Sequence, residues 1–439
     1  MSAPAWIALT ALAVWGWLLL CRGFFWRTDQ RLPSAPAPDS WPDVAVVVPA
    51  RDEAAVLPAA LPSLLAQEYP GRARIVLVDD GSTDGTGGLA RALAERHSGL
   101  PLRVVSPGGP EPGWTGKLWA LRHGIAVARE QWATETWAEA RAGARAEARA
   151  GTPAESRDEP EYLLLTDADI AHAPDSLRTL VAAARAHRLD LVSQMARLRV
   201  GTGWERLVVP AFVYFFCQLY PFRWVNRPRA RTAAAAGGCV LLRTAAADRA
   251  GVPAAIRGAV IDDVALARAV RGAGGRIWLG LADRVTSVRP YPGLGELWRM
   301  VSRSAYTQLR HSPVVLAATV AGLVLVYVVP PLALVVGALS GDAVTAGAGA
   351  AAWAVMAATY LPMLRYYGLA PWSAVALPFT AALYALMTVD SAIAHHRGRG
   401  AAWKGRTYAG RSTGPHPRRP AGTETSAAPG TPAGGRAEG

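Results

Sequence analysis

Lysine is almost missing from this 439-residue chain: Lys117 and Lys404 are its only two, so nearly all of the positive charge behind the formal +13 is arginine. Cysteine is scarce as well. Cys21, Cys217 and Cys239 lie far apart and form no CxxC pair. That spacing argues against a disulfide framework or a zinc site and suits a reducing compartment. No basic stripe interleaved with stacking aromatics occurs, nor any nucleic-acid module. The positive charge is therefore expected to meet anionic lipid or phosphorylated substrates rather than nucleic acid. HExxH is absent and the histidines are scattered, which leaves no metallohydrolase signature. Cys21 follows "WGWLLL", but Leu20 before it is not small and no basic stretch precedes it. An anchor end is expected there rather than a lipoprotein cleavage site.

What the chain does have is long apolar runs at both ends. Residues 1–26 read as an N-terminal transmembrane anchor, uncharged from Ala5 to Leu20 and followed by Arg22, Arg27 and Arg31. Arginines after the anchor place the following chain on the cytoplasmic side. A Pro-rich linker covers 27–43. After about Arg310, three apolar segments follow, Val314–Leu339, Val344–Leu364 and Pro371–Ala394, each long enough to span. They define a membrane region over 312–395. The tail 396–439 is basic and expected to be largely disordered. Because that basic tail prefers the cytoplasmic face, an even number of crossings is expected after Arg310. Val314–Leu339, interrupted by Pro330–Pro331, is the expected exception.

Between these ends, 44–293 alternates short β-branched runs with Ala/Leu helical periods. "VAVVVPA", "RIVLV", "LRVV" and "YLLLTDADI" read as strands, with helices over Glu53–Glu68, Gly87–Arg96 and Pro174–His187. Alternation of this kind predicts an α/β domain with a mostly parallel sheet covered on both faces. An Ala/Glu/Arg insert occupies about 129–160, and 294–311 reads as an amphipathic interface helix.

The chemistry sits where apolar strands end in carboxylates. "RIVLVDDGSTDGT" brings Asp79 and Asp80 to a strand end, with Asp84 placed to cap the next helix. In a parallel sheet that is the edge of the ligand crevice. "LLLTDADI" ends another strand in Asp167 and Asp169, two residues apart and so expected on one side. Such a pair can share a divalent ion with substrate phosphates. Asp262 and Asp263 precede a helical period and suit either a helix N-terminus or a general base. Lys117, in the glycine-flanked turn "GWTGK", suits phosphate.

Taken in order, these residues resemble glycosyltransferase family 2. Its opening motif appears as "PARDE" with Asp52 in place of Asn, its nucleotide motif as Val78–Thr86, its "GKxxALNxG" as Gly116–Gly124 with Arg122 replacing Asn, and its DxD as Asp167–Asp169. The resemblance spans about Val44 to Arg310. It implies a GT-A nucleotide-sugar domain and a metal-dependent enzyme using Mg2+ or Mn2+. Pro49, Glu53, Asp79, Asp80, Lys117 and Asp167 would hold the donor. Asp169 with Asp167 would hold the metal, Asp263 with Asp262 would supply the base, and Gly237, Gly238 and Arg303 would lie on the acceptor side. "WERLVVPAFVYFFCQLYPF", "ELWRMVSRSAYTQLR" and "WKGRTY" resemble the hopene-associated branch, which implies a lipid acceptor, hopanoid or another polyprenoid, at a bacterial cytoplasmic membrane. A polyprenyl-phosphate-directed or glycan-directed member is the alternative. "MVSRS" lacks the Gln and Trp of the processive "QxxRW" signature, which argues against a polymer-extruding synthase. A sugar nucleotidyltransferase would need a Gly-rich basic loop where "VVVPARDEAAV" stands. A transporter would need more ionisable groups than Asp342, Arg365 and Asp390 in or beside its apolar segments. Leu207–Phe222, uncharged and aromatic inside the domain, reads either as a core helix or as a greasy entrance for the acceptor.

Overall fold

The structure is a computed structural model and describes residues 1–147, 159–228, 230–398, 402–403 and 406–407. The latter part of the insert and nearly all of the basic tail lie outside the described residues.

Strand β1 (Val44–Ala50) is buried at every position, as an unbroken apolar run must be when both faces of its sheet are covered. Its side chains alternate between two cores. Val44, Val46 and Val48 meet Leu57, Leu61 and Leu64 of the helix Leu57–Leu65 and Leu177 and Leu180 of the helix Ser176–Ala186. Ala45 and Val47 join Leu118, Leu121 and Ile125 of the helix Gly116–Glu147 on the other side. That helix approaches closely because of Gly124: a Cβ there would stand 2.5 Å from Val47 and 2.7 Å from Val78.

Seven further strands complete the sheet: β2 (Ala73–Asp79), β3 (Leu102–Val105), β4 (Tyr162–Thr166), β5 (Ile170–His172), β6 (Leu191–Arg197), β7 (Cys239–Arg243) and β8 (Ile277–Ser287), in the order β3-β2-β1-β4-β7-β6-β8-β5. β1 pairs in parallel with β2 and β4, β2 with β3, and β6 with β8, while β7 and β5 run antiparallel to their neighbours. Chain order reverses around β1, and such a reversal opens a ligand crevice beyond the strand ends. Two expected elements shift. The helix expected from Glu53 begins only at Leu57, because Asp52 adopts a left-handed φ of +48° and the Glu53 N–H donates to Thr86 Oγ1 at 2.8 Å. The strand expected through Ile170 stops at Thr166 and resumes as β5 on the far edge of the sheet.

Among the described residues, four helices are long and apolar enough to cross a membrane: Ala3–Cys21, Pro313–Ser340, Ala343–Tyr367 and Pro371–His396. The first buries Ala5, Ala8, Ala11, Trp15 and Leu18, one helical stripe of mostly small residues that lets neighbours come close. Gly337 and Gly349 do the same for the hairpin of the second and third, since a Cβ would stand 2.3 Å from the Ala346 N and 2.6 Å from the Leu334 N. Pro330–Pro331 does not interrupt the second helix. A π-turn at Val324–Val328 carries it through, and the Val326 carbonyl, which a proline at position 330 cannot satisfy, accepts the Trp15 indole N–H at 2.7 Å.

The aromatic helix Gly203–Leu219 joins this bundle to the sheet. Val208, Val209, Ala211, Val213 and Tyr214 are fully buried. Tyr214 Oη lies 2.8 Å from Thr359 Oγ1, and the Phe215 ring packs edge-on against Tyr327 and Tyr384. The segment is core, because its aromatic faces are already spent on the apolar helices.

Candidate active site

Beyond the ends of β1 and β4 lies a cavity of about 610 Å3 that runs from the sheet to the ends of the apolar helices. Pro49, Glu53, Lys117, Asp167, Asp169, Asp262 and Arg303 line it, so seven of the twelve residues expected at the site converge. Gly237 and Asp263 line a small adjoining cavity that also reaches Lys117, Asp167 and Asp262. Asp79, Asp80 and Gly238 do not line either. Asp79 Oδ1 accepts the Ser82 N–H at 3.0 Å, Asp84 accepts the Ala54 and Thr86 N–H groups, and Asp52 accepts that of Thr83. Asp84 and Asp52 thus stitch the loops after β2 and β1 together, Asp79 holds its own loop, and Asp80 is buried. Gly238 contributes its carbonyl, which accepts Thr166 Oγ1 at 2.8 Å just before the acidic turn.

That turn, Asp167–Asp169, links the centre of the sheet to its edge. Both carboxylates reach one cavity because the chain turns there, not because strand side chains alternate. His172 clamps the turn from behind: Nε2 lies 3.0 Å from Thr166 Oγ1 and Nδ1 lies 3.3 Å from Ser176 Oγ. Burial pushes the imidazole down to about 4, so it is neutral at physiological pH.

Two cations hold the acids. Lys117 Nζ stands 2.9 Å from Asp167 and 3.1 Å from Asp262. Burial works against the ammonium, but these carboxylates outweigh it and hold it charged. Arg289 donates through Nε to Asp169 at 2.8 Å and through Nη2 to Glu53 at 2.6 Å. Asp263 accepts the Gly237 N–H at 3.0 Å and its own helix N–H from Val264 at 2.7 Å. Burial, and then the neighbouring charge of Asp262, push its carboxyl up to about 7.

Sequence reasoning missed Arg289 and His172. Arg289 follows the end of β8, and only its position after a strand, before Pro290, marked it. Glu205 was also missed. It is buried and accepts N–H groups from Gly201, Thr202 and Tyr291, which fixes Tyr291 in the cavity wall.

The donor set fits a divalent cation in one way. Asp167 and Asp169 offer carboxylate oxygens, the ligands that Mg2+ and Mn2+ take. Among the described residues, however, no group of three His, Cys, Asp or Glu side chains stands ready to hold an ion alone. Phosphate oxygens would have to complete the shell.

A mixed, mostly parallel sheet with a DxD turn at its crevice is the GT-A architecture of nucleotide-sugar enzymes. Residues 42–307, more than half of the chain, match the family model "Glycosyltransferase like family 2", and the chain belongs to that family. It is a glycosyltransferase acting on nucleotide sugars. It is similar in fold to the mannosyltransferase PcManGT from Pyrobaculum calidifontis, solved with GDP-Man and Mn2+, at 20% identity and a TM-score of 0.50, over 89% of this chain and 99% of that one. TarS from S. aureus aligns at 17% identity and a TM-score of 0.36, over 60% of this chain and 40% of that one. Glucosyl-3-phosphoglycerate synthase from Mycobacterium tuberculosis, solved with Mn2+, UDP and glucosyl-3-phosphoglycerate, aligns at 19% and 0.36, over 61% and 79%. No curated protein matches the chain.

Proposed function

We propose that the chain is an inverting glycosyltransferase that moves a sugar from a nucleoside-diphosphate donor to a hydroxyl of a membrane lipid, with its α/β domain facing the bacterial cytoplasm. The observation that supports this most is the single cavity whose lining runs from Asp167, Asp169 and Lys117 to Tyr306, His311 and His395 at the foot of the apolar helices. Hopanoid and other polyprenoid alcohols fit such a path, and the motifs shared with the hopene-associated branch favour them.

In this reading Lys117 and Arg289 take the diphosphate oxygens while Glu53 orients Arg289. Asp169 and Asp167 would hold Mg2+ or Mn2+, which offsets charge gathering on the departing diphosphate. Asp263 accepts the proton of the acceptor hydroxyl as its oxygen bonds to the anomeric carbon. The bond from that carbon to the phosphate oxygen breaks, and its electron pair leaves with the diphosphate. A carboxyl pushed up to about 7 is matched to that task near neutral pH. Asp262 and Lys117 tune its charge.

The test is purified protein in detergent with a panel of sugar nucleotides, a divalent cation and a total lipid extract. Nucleoside diphosphate release should accompany a glycolipid identified by mass spectrometry. Glycosylation confined to soluble acceptors would remove the lipid from the reading.

A further inference from the structure

Composition marks Pro371–His396 as a fourth span, yet one of its ends rests on the sheet and the other on the helix Leu294–Gln308, which lines the active-site cavity with the α/β domain. Just before it, Tyr366 Oη donates to the Ala282 carbonyl in β8 at 2.6 Å, and the Arg197 guanidinium from β6 stands 5.4 Å from the Tyr366 ring. At its other end, Ser391 Oγ accepts the Tyr306 N–H at 3.0 Å and donates to the Ser302 carbonyl. His396 Nε2 lies 3.2 Å from Tyr306 Oη, and the His395 ring stacks on His311 at 4.2 Å. Between them, Tyr384 donates to the Val208 carbonyl at 3.1 Å, while Asp390, exposed near the C-terminal end of the other face, accepts the Trp298 indole N–H at 2.8 Å. One face of the helix is thus tied to Gly203–Leu219 and Leu294–Gln308.

A spanning helix puts a hydrocarbon layer of about 30 Å between its ends. For this one to span, the α/β domain would have to reach both membrane surfaces. The hairpin before it behaves differently. Its turn at Asp342 meets the first helix instead, with Ser2 Oγ 2.6 Å from Asp342 Oδ2.

The opposite face explains the apolar composition. Trp372, Val375, Phe379, Leu386 and Ile393 are 43–77% exposed, and steps of three, four and seven put them on one stripe of a helix. The helix packs against the second and third apolar helices, so a leaflet that surrounds them also meets its exposed stripe.

We propose that Pro371–His396 does not cross the membrane but enters and leaves on the side of the α/β domain, with this stripe docked in the acyl chains of that leaflet. The chain then crosses three times, and residue 397 returns to the catalytic side. Ser391, Ala394 and His395 line the active-site cavity, so the docked helix brings the leaflet to the cavity mouth.

The test uses the full chain in sealed vesicles of both orientations, with Cys21→Ser as background because Cys217 and Cys239 are buried. Single cysteines replace four exposed residues, Glu95, Ser340, Ala370 and Arg397, and a membrane-impermeant maleimide is added. Positions 370 and 397 should react from the face that reaches 95, and position 340 from the other. Reaction of 397 from the face of 340, or its failure to react from the face of 95, overturns the proposal. A fluorophore on Leu386→Cys should be quenched by brominated acyl chains and shielded from iodide. Quenching by iodide alone would mean that the stripe faces water.

Discussion

Removing the charge of Asp262 should move the pH dependence of the reaction without moving the residue that sets it. Asp263 titrates at about 7 because burial and the Asp262 carboxylate both disfavour its charged form, against Lys117 and two backbone N–H groups that favour it. Taking about 6 Å for two neighbouring carboxylates, like charges repel by about 3 kcal/mol at an effective dielectric of about 20, and about 1.4 kcal/mol is one pKa unit. Burial is the larger of the two causes in a rise from 3.8 to about 7. Lys117 and the N–H groups cancel part of the gross rise, so the Coulomb figure, about two units, is the ceiling on the share of Asp262. Asp262→Asn should carry the rising limb of kcat/KM, which reports the base in the free enzyme, toward acid by up to about two pH units. Nucleoside diphosphate release measured from acid to alkaline pH reads the limb whatever the amplitude. Asp263→Asn should instead abolish the limb and lower turnover by about 10²-fold or more. A limb that stays put in Asp262→Asn, or moves toward alkali, would refute the assignment of Asp263 as the titrating base.

Asp169→Ala should abolish turnover and also the binding of Mn2+ in the presence of a nucleoside diphosphate, read by the electron paramagnetic resonance of the free ion. Retained Mn2+ binding would place the ion elsewhere. His172 is buried and neutral, with its imidazole lowered from 6.5 to about 4. The unfolded chain binds the extra proton between those values, so stability is fully present above about 6.5 and falls by about 3 kcal/mol as pH drops through 4. His172→Gln should flatten that slope relative to the parent in denaturation series, and parallel slopes would count against it. Phe215→Ser, in the joint with Tyr327 and Tyr384, should lower the melting temperature and cut activity equally on lipid and soluble acceptors. Selective loss on the lipid would restore the entrance reading of Leu207–Phe222. Gly349→Leu should separate the hairpin, because the Leu334 N already stands 2.6 Å from the site of a Cβ, and unchanged thermal stability would contradict that packing.

Much of the fold was legible because its signals are local. β1, β2 and β4 are unbroken apolar runs, and strands buried on both faces can be little else. Their ends were legible for the same reason, since a carboxylate at the edge of such a run marks the place where burial stops. Asp167 and Asp169 were found that way, Lys117 as the lysine of a glycine-flanked turn, and the three do share one cavity. Asp79 and Asp80 carry the same local signature but do not line that cavity, and Asp79 accepts the Ser82 N–H of its own loop. Which acidic strand end opens on the cavity depends on the order of strands around β1, and that order is a long-range property.

Arg289 shows the limit more sharply. It is separated from Glu53 by 236 residues and from Asp169 by 120, and nothing near position 289 records either partner. Its role exists only once β8 is laid beside β6 and β5. The last apolar helix is the other case. Length and composition measure how much apolar surface a helix carries, but not what covers each face. By itself the sequence determined that Pro371–His396 is apolar and helical. Only the tertiary structure decided that one face belongs to the α/β domain, because the hydrogen bonds of Tyr384 and Ser391 reach partners 176 and 85 residues away, and that separation is closed by folding alone.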